Sequence, residues 1–216
     1  MFKVLSLVMS GDGEKIKGFL INPVETFRKQ SGEHLGAAYR YYVVLLVLFS
    51  VLYGIVAIAL DMSVFNTTIA SLGSIPGMEW AAYLASFGAF AVSFDIFFIY
   101  VMFFISLFSI FISGLMLHCF VLLLGGEKGY SQTIKSMMYA YTPYLLFGWI
   151  PYVNIIVAVW MLALQVIGIR ELQEMQTEHA VLVVLLPAFL VFFGFLLFGI
   201  VIATFLSGFA GMLGFA

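Results

Sequence analysis

The sequence predicts an all-α fold: a polytopic membrane helical bundle with five transmembrane helices. Three observations carry this prediction. Hydrophobic residues make up 64% of the chain and charged ones 9%, where soluble domains hold roughly 45–50% and 25%. The apolar residues gather into runs long enough to cross a bilayer. The nine Lys and Arg residues fall in only three stretches, Lys3 to Arg40, Lys128 to Lys135, and Arg170, and basic residues set the orientation of membrane helices.

Residues 1–40 form the one extended polar region. MFKVLSLVMSGDGEKIKG has neither a full apolar core nor a small-residue cleavage pattern, so a cleaved signal peptide is not expected. Asn22 before Pro23 is a helix start, with Asn as the cap and Pro in the first turn. From Pro23 to about Ser31 the pattern fits an interfacial helix or a solvated lead-in to the first span. Asp12, Glu14, Glu25 and Glu33 offset Lys15, Lys17, Arg28 and Lys29. Together with the net charge of -2 this argues against a nucleic-acid partner, which needs a concentrated basic patch. Membrane lipids are the expected surroundings.

Residues 41–216 form the transmembrane domain. The first span is 41–60, flanked by Arg40, Tyr41 and Tyr42 as interfacial groups and closed by Asp61. A loop at 62–79, with acids and no bases, leads into the apolar stretch 81–124. One helix over that stretch is about 66 Å long, twice a bilayer's apolar thickness. It divides either into two spans, or into a separate helix from Trp80 to about Ser93 followed by one span over 96–124. Asp95 favours the second division, because a carboxylate is cheaper at an interface than in mid-bilayer. Gly125, Gly126, Glu127, Lys128, Gly129 and Tyr130 form a turn, after which Ser131 is placed to cap a helix. Spans three and four are 134–150, interrupted by Pro143, and 152–169, joined tightly at Pro151 as an antiparallel pair. Arg170, Glu171, Glu174, Glu178 and His179 mark the next loop, and 180–205 is the fifth span.

With five spans Arg40, Lys128, Lys135 and Arg170 share one face, so the N-terminus is cytoplasmic and the C-terminus outside or luminal. Glu171, Glu174 and Glu178 give that face a small acidic surface, either a docking site for a basic partner or a solvated helix end.

Several features resemble the Yip1 domain, a family of small polytopic membrane proteins. They are the Gly125-Gly126 turn after a long span, Tyr139-Ala140 followed by Pro143, the short helical hairpin, Gly168-x-x-Glu171 leading to Ala180, and Leu185-Leu186-Pro187. The resemblance covers the chain from Tyr41 onward and implies five spans with a cytoplasmic N-terminus. Eukaryotic members work in membrane traffic and associate with Rab-type small GTPases. The forty-residue N-terminal region is shorter than theirs and is closer to prokaryotic relatives, which implies the plasma membrane.

The remaining candidate residues divide between structural and functional readings. Gly125 and Gly126 serve the turn, since no Gly-Lys-Ser/Thr follows as a phosphate loop requires. Asp95 and His118 are ionisable groups in a span, hence functional candidates, but on one helix they lie about 34 Å apart. Pro143 either kinks its helix, the freed carbonyl being met by a nearby hydroxyl, or breaks it to bind an ion. Cys119, the only cysteine, is expected to be a buried small hydrophobe, and with His118 it supplies too few ligands for zinc. Ser106, Ser109, Ser113 and Gly114, and Gly194, Ala203, Gly208 and Gly211, serve packing within the chain or a homo-oligomer equally well.

No nucleophile stands beside a base at one depth, so an enzyme is not expected and no cofactor is implied. The expected function is a non-enzymatic membrane scaffold with a protein partner on the cytoplasmic face. The alternative is a small-solute transporter or lipid translocator using the third span.

Overall fold

The computed structural model describes residues 2–59, 64–85 and 88–212, and every regular element among them is an α-helix. Two helices precede the first span: α1 (Phe2–Ile21) and α2 (Pro23–Gln30). They cross closely at Gly18, where a Cβ would sit 2.5 Å from Thr26 Oγ1. Pro23 occupies the first turn of α2 as expected, but the Asn22 side chain caps no amide. It donates instead to Glu25 Oε2 at 2.9 Å, a charge-assisted bond stronger than a neutral cap.

Helix α3 (Leu35–Ala59) buries Ala38, Tyr41, Tyr42, Leu45 and Leu46. That spacing of three and four residues is a single helical stripe. The segment read as a loop at 62–79 holds a helix, α4 (Val64–Gly73), which pairs with α5 (Glu79–Ala85). A Cβ on Gly73 would lie 2.6 Å from Ala82 Cβ, so glycine permits the approach. The helix α6 (Gly88–Leu123) then runs unbroken for 36 residues. Asp95 lies within it, and Asp61 falls outside the described residues. Cys119 is exposed, contrary to expectation. Leu117, His118 and Val121 occupy the packed side of α6, and successive helical residues point about 100° apart.

The third predicted span is two helices, α7 (Tyr130–Ala140) and α8 (Thr142–Phe147). Gly129, not Ser131, stands at the start of α7, and no side chain caps it. Pro143 has no N–H to return to the carbonyl of Tyr139, four residues back. Thr142 Oγ1 donates to that carbonyl at 2.6 Å, so the break leaves no orphan there. A tight turn joins α8 to α9 (Val153–Gln173), and α10 (Thr177–Met212) closes the chain.

Among the described residues four helices are long and apolar enough to cross a bilayer: Leu35–Ala59, Asp95–Leu123, Val153–Gln173 and Thr177–Phe205. Neither α7 nor α8 reaches that length alone. The core lies at one end of the bundle, where α1, α2 and the α6–α7 and α9–α10 turns gather. Buried positions end at Leu46 on α3 and Pro187 on α10, while Ile110 is the buried residue of α6 nearest the opposite end.

Candidate functional site at the basic end

Four aromatic rings centre this end. Tyr139 has no exposed surface and stacks on Phe19 at 4.8 Å, with Tyr41 at 5.6 Å and Phe27 at 6.4 Å. Burying rings of this size is the largest apolar contribution a single side chain makes. The Tyr41 hydroxyl lies 3.0 Å from Thr142 Oγ1, whose own proton goes to the Tyr139 carbonyl, so Tyr41 is the donor.

Above it, Tyr139 donates its hydroxyl to Glu33, which also pairs with Lys15 at 2.5 Å. Lys15 further lies 6.0 Å over the Tyr41 ring. Lys135 is almost wholly buried and donates to the carbonyls of Ser31 at 2.7 Å and Glu33 at 2.9 Å. Burial pushes the Glu33 carboxyl up. The hydrogen bonds from Lys15 and Tyr139 and the charges of Lys15 and Lys135 outweigh it, and Glu33 is held below the usual carboxylate range. Asp12 is also buried, and its Oδ2 has no hydrogen-bond partner among the described residues.

A second network pins the two turns together. Gly125 has φ +89, and Gly126 N–H donates to Val121 O at 2.8 Å, which makes the end of α6 a Schellman turn. A Cβ on Gly126 would lie 2.3 Å from Val121 Cγ1, so glycine is required for this closure. The end of α9 repeats the motif with Glu174 at φ 54 and Met175 N–H donating to Arg170 O at 3.1 Å. Gln173 bridges the two. Its Nε2 donates to Gly129 O and Thr133 Oγ1, each at 2.9 Å, and its Oε1 accepts from Lys128 N–H at 3.0 Å. His118 Nδ1 lies 2.8 Å from the same Thr133 hydroxyl.

The third network corrects the acidic surface expected at 170–178. Glu171 is paired with Arg28 and Arg170, each at 2.6 Å, and Glu174 with Lys128 at 2.7 Å. Two of the three carboxylates are thus neutralised by cations, one of them 143 positions away in the chain. Arg28, Lys128, Gln132, Glu171 and Glu174 contribute to the walls of a polar cleft of about 520 Å³.

The structure therefore brings together His118, Gly125, Gly126, Tyr139, Arg170, Glu171 and Glu174, with Pro143 just beneath. Asp95 stands apart, about 34 Å from His118 along α6 at 1.5 Å per residue. Sequence reasoning passed over Lys135, Gln173 and Glu33 as members of this assembly, whereas Thr142 supplies the nearby hydroxyl expected at Pro143. Lys135 carried a signal, since a cation inside a predicted span needs a partner. Glu33 and Gln173 carried none, because their partners lie far away in the chain. Among the described residues no group of three or more His, Cys, Asp and Glu is placed to hold a metal ion. Chemically, these networks fasten distant segments to one another and order a charged surface.

No curated protein and no solved structure matches the chain significantly. The family model for the Yip1 domain matches residues 17–200, which include every residue of the three networks except Asp12 and Lys15. With most of its length and nearly all of this end inside that match, the protein belongs to the Yip1 domain family.

Proposed function

We propose that the protein is a non-enzymatic integral membrane scaffold that presents its basic end to a protein partner on the cytoplasmic face. The observation that carries this reading is the fastening of that end. Lys15, Lys135, Gln173 and Arg28 tie α1, α2 and two inter-helix turns into one surface across 18 to 143 positions of sequence. A surface ordered in advance loses less entropy when a partner docks. Five crossings fit this arrangement, with α7 and α8 together making the third. Their 18 residues from Tyr130 to Phe147 extend about 27 Å. The N-terminal region and both charged turns then share the cytoplasmic side, in keeping with the distribution of basic residues.

The test has two parts. In a Cys119→Ala background, Ser131→Cys should react with an impermeant maleimide only after cells are permeabilised, and Ser74→Cys should react in intact cells. The reverse pattern overturns the orientation. Photo-crosslinkers at Lys17 and Gln176 should then capture one reproducible protein partner that a crosslinker at Tyr152 does not. Absence of such an adduct across several native membranes overturns the scaffold reading.

A further inference from the structure

The cleft between α2, the α6–α7 turn and the end of α9 presents both signs of charge. Its walls hold two cations, Arg28 and Lys128, and two carboxylates, Glu171 and Glu174, so the lining is neutral as a whole but divided. Arg28 is engaged through Nε alone among the described residues, which leaves its two terminal amino groups for a further acceptor. Lys128 and Glu174 are both open to solvent, and an exposed pair of this kind costs little to share. Gln132, also in the wall, is engaged through Nε2, which donates to Ser31 O at 3.1 Å. Among the described residues no aromatic ring lines the cleft, and quaternary ammonium groups are recognised by such rings. Leu172 supplies an apolar wall. Beneath it α9 continues as a span-like helix with Ile155 and Val159 exposed on one face. The cleft therefore stands where a membrane helix leaves the apolar depth.

We propose that this cleft binds the headgroup of a phosphatidylethanolamine-type lipid. The phosphate is held by the terminal amino groups of Arg28 and by Lys128, which form charge-assisted hydrogen bonds. The primary ammonium donates to the carboxylate oxygens of Glu174. A trimethylated headgroup has no N–H to offer these acceptors, and a purely anionic headgroup leaves the carboxylates facing a like charge.

The test is native mass spectrometry of the purified full chain in detergent. Phosphatidylethanolamine, phosphatidylcholine and phosphatidylglycerol of identical acyl chains are added in turn, with soluble phosphoethanolamine as a fourth probe. Phosphatidylethanolamine should bind about tenfold more tightly than the other two lipids, and Lys128→Gln or Arg28→Gln should remove about that factor. Gly32→Trp is a second variant, because the space around Gly32 is open and its backbone is ordinary. It should block the cleft without disturbing the fold, while Lys29→Gln on the outer face of α2 should bind as the native chain does. Equal retention of the three lipids, or unchanged binding in both Lys128→Gln and Gly32→Trp, overturns the proposal. Soluble phosphoethanolamine binding as tightly as the lipid overturns the assignment to a membrane ligand.

Discussion

The two ends of this bundle are built on different principles, although the same helices pass through both. At the basic end α3, α6, α9 and α10 bury Tyr41, Val121, Ile169 and Val183 among the rings of Phe19 and Tyr139. Side chains such as Lys135 and Gln173 tie that packing to backbone carbonyls. Toward the opposite end α10 exposes every described side chain from Phe189 to Phe205, and α6 exposes Phe97, Phe98, Tyr100 and Phe104. Lipid tails are as apolar as leucine, so nothing drives these faces together as water would. The contrast shows what fixes the arrangement: polar bonds and close aromatic packing at one end, with apolar composition alone at the other.

The sharpest way to break this contrast is to truncate one large ring at each end. Tyr139→Ala should lower unfolding free energy by about 4 kcal/mol, the range for deleting a buried aromatic side chain. Phe195→Ala, on an exposed face of α10, should stay within about 0.5 kcal/mol, as surface changes do. Thermal unfolding in one detergent measures both, and equal losses would erase the distinction. Next in size is Gln173→Leu, which keeps the volume and removes three hydrogen bonds. It should cost about 2 kcal/mol because the partners remain buried or half-buried, and hydrogen exchange should quicken at the α6–α7 turn.

The smallest expected effect is a dependence on pH. Glu33 in the folded chain sits below its ordinary value of 4.5, so its pairing with Lys15 and Tyr139 contributes fully above that pH. The contribution is lost as pH falls through the lowered folded value. The unfolding temperature of the native chain should thus drop below about pH 4.5 more steeply than that of Glu33→Gln. Parallel curves would remove Glu33 from the account.

What the sequence made legible follows the same division. Apolar runs reveal membrane helices because composition alone defines them, and the helices bearing Tyr41, His118, Gln165 and Val184 could be read that way. Gly125 and Gly126 announced a turn because only glycine tolerates that geometry and closeness. The basic end was harder to read. α1 mixes polar and apolar residues, so composition did not mark it as a helix, and the stacking of Phe19 on Tyr139 leaves no local pattern. The 62–79 segment hid α4 for the same reason. Lys135 served the sequence reading only as a topology marker, since its acceptors are carbonyls 102 and 104 positions away. Glu171 looked like a surface acid because Arg28 is more remote still, 143 positions away. Pairings of this kind depend on tertiary folding and leave no local pattern.

The one-ended anchoring of α10 bears on how that helix fits a bilayer. Its apolar stretch Thr177–Phe205 is 29 residues, about 43 Å of helix against a hydrocarbon layer of about 30 Å. A helix clamped along its length could only deform the bilayer around it. This one is held at Ala180, Val183 and Val184, with exposed apolar side chains from Phe189 onward, so it can tilt about that anchor to meet the local thickness. A helix anchored at one end and free along the rest can meet hydrocarbon layers of different thickness without unpacking the basic end.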